Sequence, residues 1–96
     1  MMKESEYQAS VIDKIKEMFP GCIVTKQDSN YLQGIPDWCV FYGNRYAWLE
    51  IKRDPNAPHR PNQDYYVEWA DSRAFGAFVN PMNEGVVLKD LFDYFN

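Results

Sequence analysis

Gly34-Ile35-Pro36-Asp37-Trp38-Cys39-Val40-Phe41-Tyr42, then Gly43-Asn44, then Arg45-Tyr46-Ala47-Trp48-Leu49-Glu50-Ile51-Lys52 read together as a β-hairpin. Both arms are rich in aromatic and β-branched residues, and Gly-Asn is a two-residue pair that closes hairpins by visiting positive φ. With Tyr42 facing Arg45, residues equally distant from the turn pair, and Asp37 falls opposite Glu50. Directly opposed side chains have Cβ atoms roughly 4.5–5.5 Å apart, and like charges at that distance are destabilising. Something cationic is expected between them. Lys52 lies two residues beyond Glu50, so strand alternation places it on the same face with a stem long enough to reach the pair. Two carboxylates also suit a hard divalent ion such as Mg²⁺, which takes one or two protein carboxylates and keeps several waters. A lysine beside such an ion is placed to orient a water or to stabilise charge on a phosphate oxygen. The plainer alternative makes Glu50 and Lys52 a solvated edge pair and Asp37 the start of a strand after Pro36. It accounts for each residue separately but not for their coincidence.

The segments around the hairpin complete an α/β pattern. From Lys3 to Phe19, Tyr7, Val11, Ile12, Ile15, Met18 and Phe19 recur at three- and four-residue spacings, and Asp13, Lys14, Lys16 and Glu17 take the other side of an amphipathic helix. Glu4 falls in the middle of the apolar stripe and Glu6 opposite it, which favours Glu4 as the functional acid; a capping box of Ser5 with Gln8 would instead leave Glu4 outside the helix. Pro20-Gly21 ends the helix, Cys22 to Gln27 forms a strand, and Asp28 to Gln33 a polar connector carrying Tyr31. Tyr31 is read as a cap on the core rather than a base-stacking residue and is left out of the site. After Lys52, three prolines stiffen the loop Asp54 to Pro61; Pro61 suits the first position of a helix that continues from Asn62 to Arg73. Gln63 shares the face of Tyr66, Val67 and Ala70 there, so its amide needs a partner. Phe75 to Val79 is a further strand, and Leu88 to Phe95 a short helix whose aromatic face covers the sheet or meets a second subunit. The order helix, three strands, helix, strand, helix predicts a single domain over residues 1–96, with antiparallel pairing first and a parallel strand last.

Composition limits the function classes. No apolar run approaches the ~20 residues of a membrane span, and Met1-Met2-Lys3-Glu4-Ser5-Glu6 is not followed by a signal-peptide core, so a cytoplasmic protein is expected. Cys22 and Cys39 lack zinc-site spacing, and His59 is the only histidine, with no nucleophilic serine motif to partner it. Neither a zinc site nor a serine or cysteine hydrolase is expected, and no organic cofactor. The net charge of −4 opposes binding to a polyanion. Arg45, Lys52, Arg53, His59 and Arg60, however, cluster in one interval and supply a local cationic patch.

Pro36-Asp37 followed by Glu50-Ile51-Lys52 resembles the PD-(D/E)xK nuclease motif. With Gly34 ahead of it, Arg53 after it, Gln63 later and a first-helix glutamate, the pattern resembles the VRR-NUC branch of that superfamily, in particular its small stand-alone phage-type members. The resemblance spans about Glu4 to Val79 and implies a restriction-endonuclease-like core, a central mixed four-stranded sheet flanked by helices in the order α-β-β-β-α-β-α. It implies metal-dependent phosphodiester hydrolysis, with Asp37, Glu50 and the Ile51 carbonyl holding Mg²⁺ or Mn²⁺ and Gln63 in the active site. The family also commonly carries a glutamine one turn after its first-helix glutamate, a spacing that Glu4 and Gln8 have. Lys52, Gln63 and Glu4 are therefore the expected catalytic residues, and Arg45, Arg53 and Arg60 the expected nucleic-acid contacts. The small relatives are Holliday-junction-resolvase-like, which implies branched DNA as substrate and a homodimer as the assembly, acting in a bacterial host if the chain is phage-encoded. Linear duplex, flap or single-stranded ends are the alternative targets, and a non-catalytic DNA-binding or protein-inhibitor module the alternative class.

Overall fold

The computed structural model describes residues 2–96, so Met1, the first residue of the expected domain, lies outside the described residues. The elements are α1 (Glu4–Met18), β1 (Ile23–Lys26), β2 (Trp38–Tyr42), β3 (Arg45–Ile51), α2 (Gln63–Arg73), β4 (Phe75–Val79) and α3 (Glu84–Phe95). They form one sheet of order β1-β2-β3-β4. β1, β2 and β3 pair antiparallel, and β4 returns parallel to β3. A parallel neighbour needs a crossover, and α2 supplies it. No helix among the described residues is long and apolar enough to cross a membrane.

The hairpin register is the expected one. Tyr42 pairs with Arg45 and Trp38 with Leu49, and Gly43 at φ 62 supplies the positive φ of the turn. Alternation then separates the sheet into two faces. Val40, Ala47, Leu49, Ile51 and Val79 join Tyr7, Val11, Ile12, Ile15 and Phe19 of the first helical segment and Val87, Leu88, Leu91 and Phe95 of α3 in one buried cluster. Aromatic rings thicken this small core: Phe19 lies 5.0 Å from Phe95 and 5.2 Å from Tyr42, centroid to centroid. Tyr7 donates to Glu84 Oε1 at 2.8 Å, and Lys14 pairs with the same carboxylate, tying α3 to α1. Burial opposes ionisation of Glu84, but the bonds from Lys14 and Tyr7 outweigh it and hold its carboxyl below the usual range.

The opposite face meets α2. Trp48 stacks on Trp69, with centroids 5.1 Å apart, and α2 lies so close to β4 that a Cβ on Gly76 would come within 2.2 Å of the Val67 carbonyl oxygen. Several expected boundaries shift: β1 is Ile23–Lys26 rather than Cys22 to Gln27, β2 starts at Trp38 rather than at Gly34, and the helices α2 and α3 start elsewhere than expected. Asn62 has φ 71, a left-handed conformation outside any α-helix, so Pro61 is not the first helical residue and α2 begins at Gln63. α3 begins four residues before the expected Leu88, because the Asn80 carbonyl accepts the Asn83 and Glu84 N–H groups and winds the chain early.

Gly76→Ala is expected to push α2 off β4 and to cost about 1–3 kcal/mol, the usual range for overpacking. Thermal unfolding should show a drop of several degrees in Tm; an unchanged Tm would mean that the helix–sheet contact is looser than described.

Candidate active site

The site sits where β3 ends, on the α2 face. Asp37 lies one residue beyond the last paired position of β2, and its backbone is held on both sides: its N–H donates to Glu50 Oε1 at 3.2 Å and its carbonyl accepts from Gln27 N at 2.7 Å. Gln27 Nε2 also donates to the Pro36 carbonyl at 3.0 Å. Asp37 and Glu50 are therefore side by side, as the hairpin register requires. Glu4, Gln8, Asp37, Glu50, Lys52 and Gln63 line one cleft of about 290 Å³. Arg60 and Pro61 close one side of it, and Ser29, Asn30, Gln33 and Gly34 another.

Glu50 is only 5% exposed. Burial, and then the charge of Asp37, push its carboxyl up from 4.5 to about 7, while Lys52 and the Asp37 N–H pull it down and Glu4 adds to the rise. Lys52 and the Asp37 N–H fall short of offsetting burial, so the two carboxylates form an under-neutralised pair that a divalent cation would stabilise. The donor set suits a hard ion: two carboxylates and the Ile51 carbonyl, with water completing the shell. No group of three or more His, Cys, Asp and Glu side chains among the described residues is arranged to hold a metal, so beyond Asp37 and Glu50 the protein donor would be the Ile51 carbonyl.

Among the acids of α1, Glu4 lines the cleft, and its Oε1 accepts from the Arg53 N–H at 2.8 Å. Glu6 instead accepts from the Lys3 N–H at the helix start. Gln8 was legible only as a spacing. It is 8% exposed; its Nε2 donates to the Ile51 carbonyl at 2.9 Å and its Oε1 accepts from Trp38 Nε1 at 3.3 Å. A polar side chain one turn after Glu4, on a stripe that continues to Val11, was the available signal. Gln8 fixes the direction of the Ile51 carbonyl while leaving that oxygen a second lone pair.

Gln63 is 7% exposed, and its Oε1 accepts from the Arg60 N–H at 2.8 Å, so the loop satisfies half of the amide. Its Nε2 has no protein partner among the described residues, yet no buried polar side-chain atom is unsatisfied, so water reaches that group. Gly34 explains how the loop comes so close. At φ 92, it packs where a Cβ would lie 2.6 Å from both Asn62 Cβ and the Pro61 carbonyl oxygen.

The three arginines separate. Arg60 is at the cleft. The Arg53 guanidinium donates to the Met2 carbonyl at 3.2 Å and borders a different hollow with Tyr7 and Pro81. Arg45 lies at the hairpin turn, where it donates to the Tyr94 carbonyl at 2.7 Å; five residues of extended strand carry it roughly 17 Å from Glu50. Arg45 thus lies away from the cleft and ties the hairpin turn to α3. Tyr31 does not cap the core: it is 91% exposed.

The raised carboxyl of Glu50 predicts a pH dependence of stability. The folded state holds this proton more tightly than the unfolded chain, so the favourable contribution is complete below about pH 4.5 and is lost as pH rises through about 7. In a chelator at pH 8, Glu50→Gln should therefore be more stable than the parent by up to about 3 kcal/mol, with the difference shrinking towards pH 4. Denaturant melts of both proteins across this range test it, and parallel curves would exclude a buried, under-neutralised Glu50.

No protein-family model matches the chain, and no curated protein matches it. A solved structure described as a VRR_NUC domain superposes with a TM-score of 0.71, covering 93% of this chain and 97% of that one at 22% sequence identity. Identity at that level speaks for the fold alone. The likeness runs over nearly all of both chains, so this chain carries the VRR_NUC fold, with its restriction-endonuclease-like core.

Proposed function

We propose that this protein is a metal-dependent DNA endonuclease that selects branched DNA, such as four-way junctions, and acts as a homodimer. The observation that carries the reading is the buried Glu50 beside Asp37, with Lys52 on the same cleft wall. The fold likeness supports it, because the matching structure is described as a VRR_NUC domain and the motif of this chain resembles that nuclease family.

Asp37, Glu50 and the Ile51 carbonyl would hold Mg²⁺ or Mn²⁺. Bound there, the ion would supply Lewis-acid stabilisation of phosphoryl charge and would make a water more acidic. The remaining work belongs to the chain. Lys52 places an ammonium against charge that builds on the phosphate, and the free Nε2 of Gln63 offers a donor to the attacking water or to a phosphate oxygen. Glu4, with one oxygen engaged by the Arg53 N–H, keeps the other for a water proton. Arg60 meets a phosphate at the cleft mouth. Water oxygen bonds to phosphorus as the bond to the leaving sugar oxygen breaks; one proton of that water passes to Glu4, and the leaving oxygen takes a proton from a solvent water. Two opposed strands at a junction require two sites, and two-fold symmetry in the protein matches that in the substrate.

Cleavage of a labelled four-way junction beside a linear duplex of the same sequence, in Mg²⁺ and in EDTA, tests the proposal. Paired symmetric nicks on the junction are expected, abolished by EDTA and reduced at least a hundredfold by Asp37→Asn or Lys52→Ala, the scale of one lost electrostatic stabiliser. Absence of any DNA cleavage in Mg²⁺ or Mn²⁺ would sink the enzyme reading. Cleavage of the duplex alone would keep the nuclease and remove the branched substrate.

A further inference from the structure

Tyr31 is the most exposed large hydrophobic side chain of the described residues, at 91%, and its neighbour Leu32 is 39% exposed. Its loop is ordered by its own backbone. Asp28 Oδ1 accepts from the Asn30 N–H at 2.8 Å, the Asp28 carbonyl accepts from Tyr31 N and Leu32 N at 3.1 and 3.2 Å, and the Leu32 carbonyl accepts from Ile35 N at 3.1 Å. The ring therefore projects from a folded turn with no aromatic neighbour among the described residues. An aromatic ring left in water contributes no burial to stability. Yet the residues on both sides of it, Asn30 and Gln33, line the cleft that contains Asp37, Glu50 and Lys52.

We infer that Tyr31 is a base-stacking residue that engages an unpaired nucleobase next to the phosphate held in the cleft; this inference rests on the nuclease reading. Tyr31 itself is not part of the cleft lining, but a nucleotide carries its base beside its phosphate, so an aromatic on the turn that borders the cleft is placed to meet a base near the phosphate held there. In continuous duplex both faces of each base are occupied by neighbours. At a fork, flap or branch point one face is free, and exposed aromatics and apolar wedges bind such faces with little regard to sequence. Tyr31 thereby becomes a specificity-determining residue, selecting DNA by the presence of an unstacked base.

The test uses a DNA fork carrying 2-aminopurine at its first unpaired position. Binding is followed by fluorescence in EDTA, and cleavage of the same fork is followed in Mg²⁺. The intact protein is expected to quench the probe on binding. Tyr31→Ala should lose the quench and bind about tenfold more weakly, Tyr31→Trp should restore both, and Tm should not move because the ring packs on nothing. Equal quenching and affinity for Tyr31→Ala, while the parent protein still cuts DNA, would overturn the inference and leave the nuclease reading standing. Quenching that depends on Tyr31 without any cleavage would support the inference and remove the enzyme. No binding of the fork by the parent protein in EDTA would overturn the inference, and no cleavage in Mg²⁺ as well would overturn the nuclease reading with it.

Discussion

Tyr42 opposite Arg45 fixes where every other residue of the hairpin falls, and the site follows from that one pairing. Strand geometry brings Asp37 to Glu50 whatever their charges, and the core prevents a slip, because a shift by one residue would turn Val40, Leu49 and Ile51 out of the buried cluster. The fold therefore holds two carboxylates against each other with one of them almost wholly removed from water. Such an arrangement costs stability and persists because the surrounding apolar packing is stronger. Strain of this kind collects at functional sites.

Close backbone approaches bring the remaining groups to the pair. Gly34 lets the turn ahead of β2 touch Pro61 and Asn62, and Gly76 lets α2 lie against β4. Together they set the start of α2, and with it Gln63, beside the end of β3. From the other side of the sheet, Gln8 reaches the Ile51 carbonyl and Trp38 at once, joining the apolar core to the cleft floor. A polar side chain with both ends bonded acts as a spacer of fixed length. The cleft is thus assembled from α1, both hairpin strands and α2, and no single element contains it.

Register and element order were readable from the sequence because they rest on local chemistry: a Gly-Asn turn, period-two alternation, an amphipathic stripe. Asp37, Glu50 and Lys52 came with the register. The arginines did not, because a cluster in sequence becomes a cluster in space only where the chain turns back on itself. Arg45 and Arg53 stand at opposite ends of an extended strand, and each is taken up by a backbone carbonyl. Tyr31 was misread for a related reason. Whether a loop aromatic packs inward depends on what lies behind the loop, and here the space beneath belongs to the cleft. Asn62 shows the limit of turn rules: proline before a helix suggests the first helical residue, but a left-handed Asn62, packed against Gly34, stands between Pro61 and the helix.

The charge of the chain bears on how an acidic protein would hold a polyanion. Glu4, Asp37, Glu50, Lys52 and Arg60 are the charged residues that line the cleft, so with every group ionised the lining carries one excess negative charge. A phosphate arriving there meets repulsion from the acids that the proposed chemistry requires. A divalent cation held by Asp37 and Glu50 would reverse the sign of the lining and relieve the conflict between them. On the proposed reading the ion is therefore needed for phosphate to settle in the cleft as well as for bond cleavage. Contacts outside the cleft have to compensate when it is absent. Stacking on Tyr31 is suited to that role, since it attracts a base and is indifferent to the charge of the phosphate beside it.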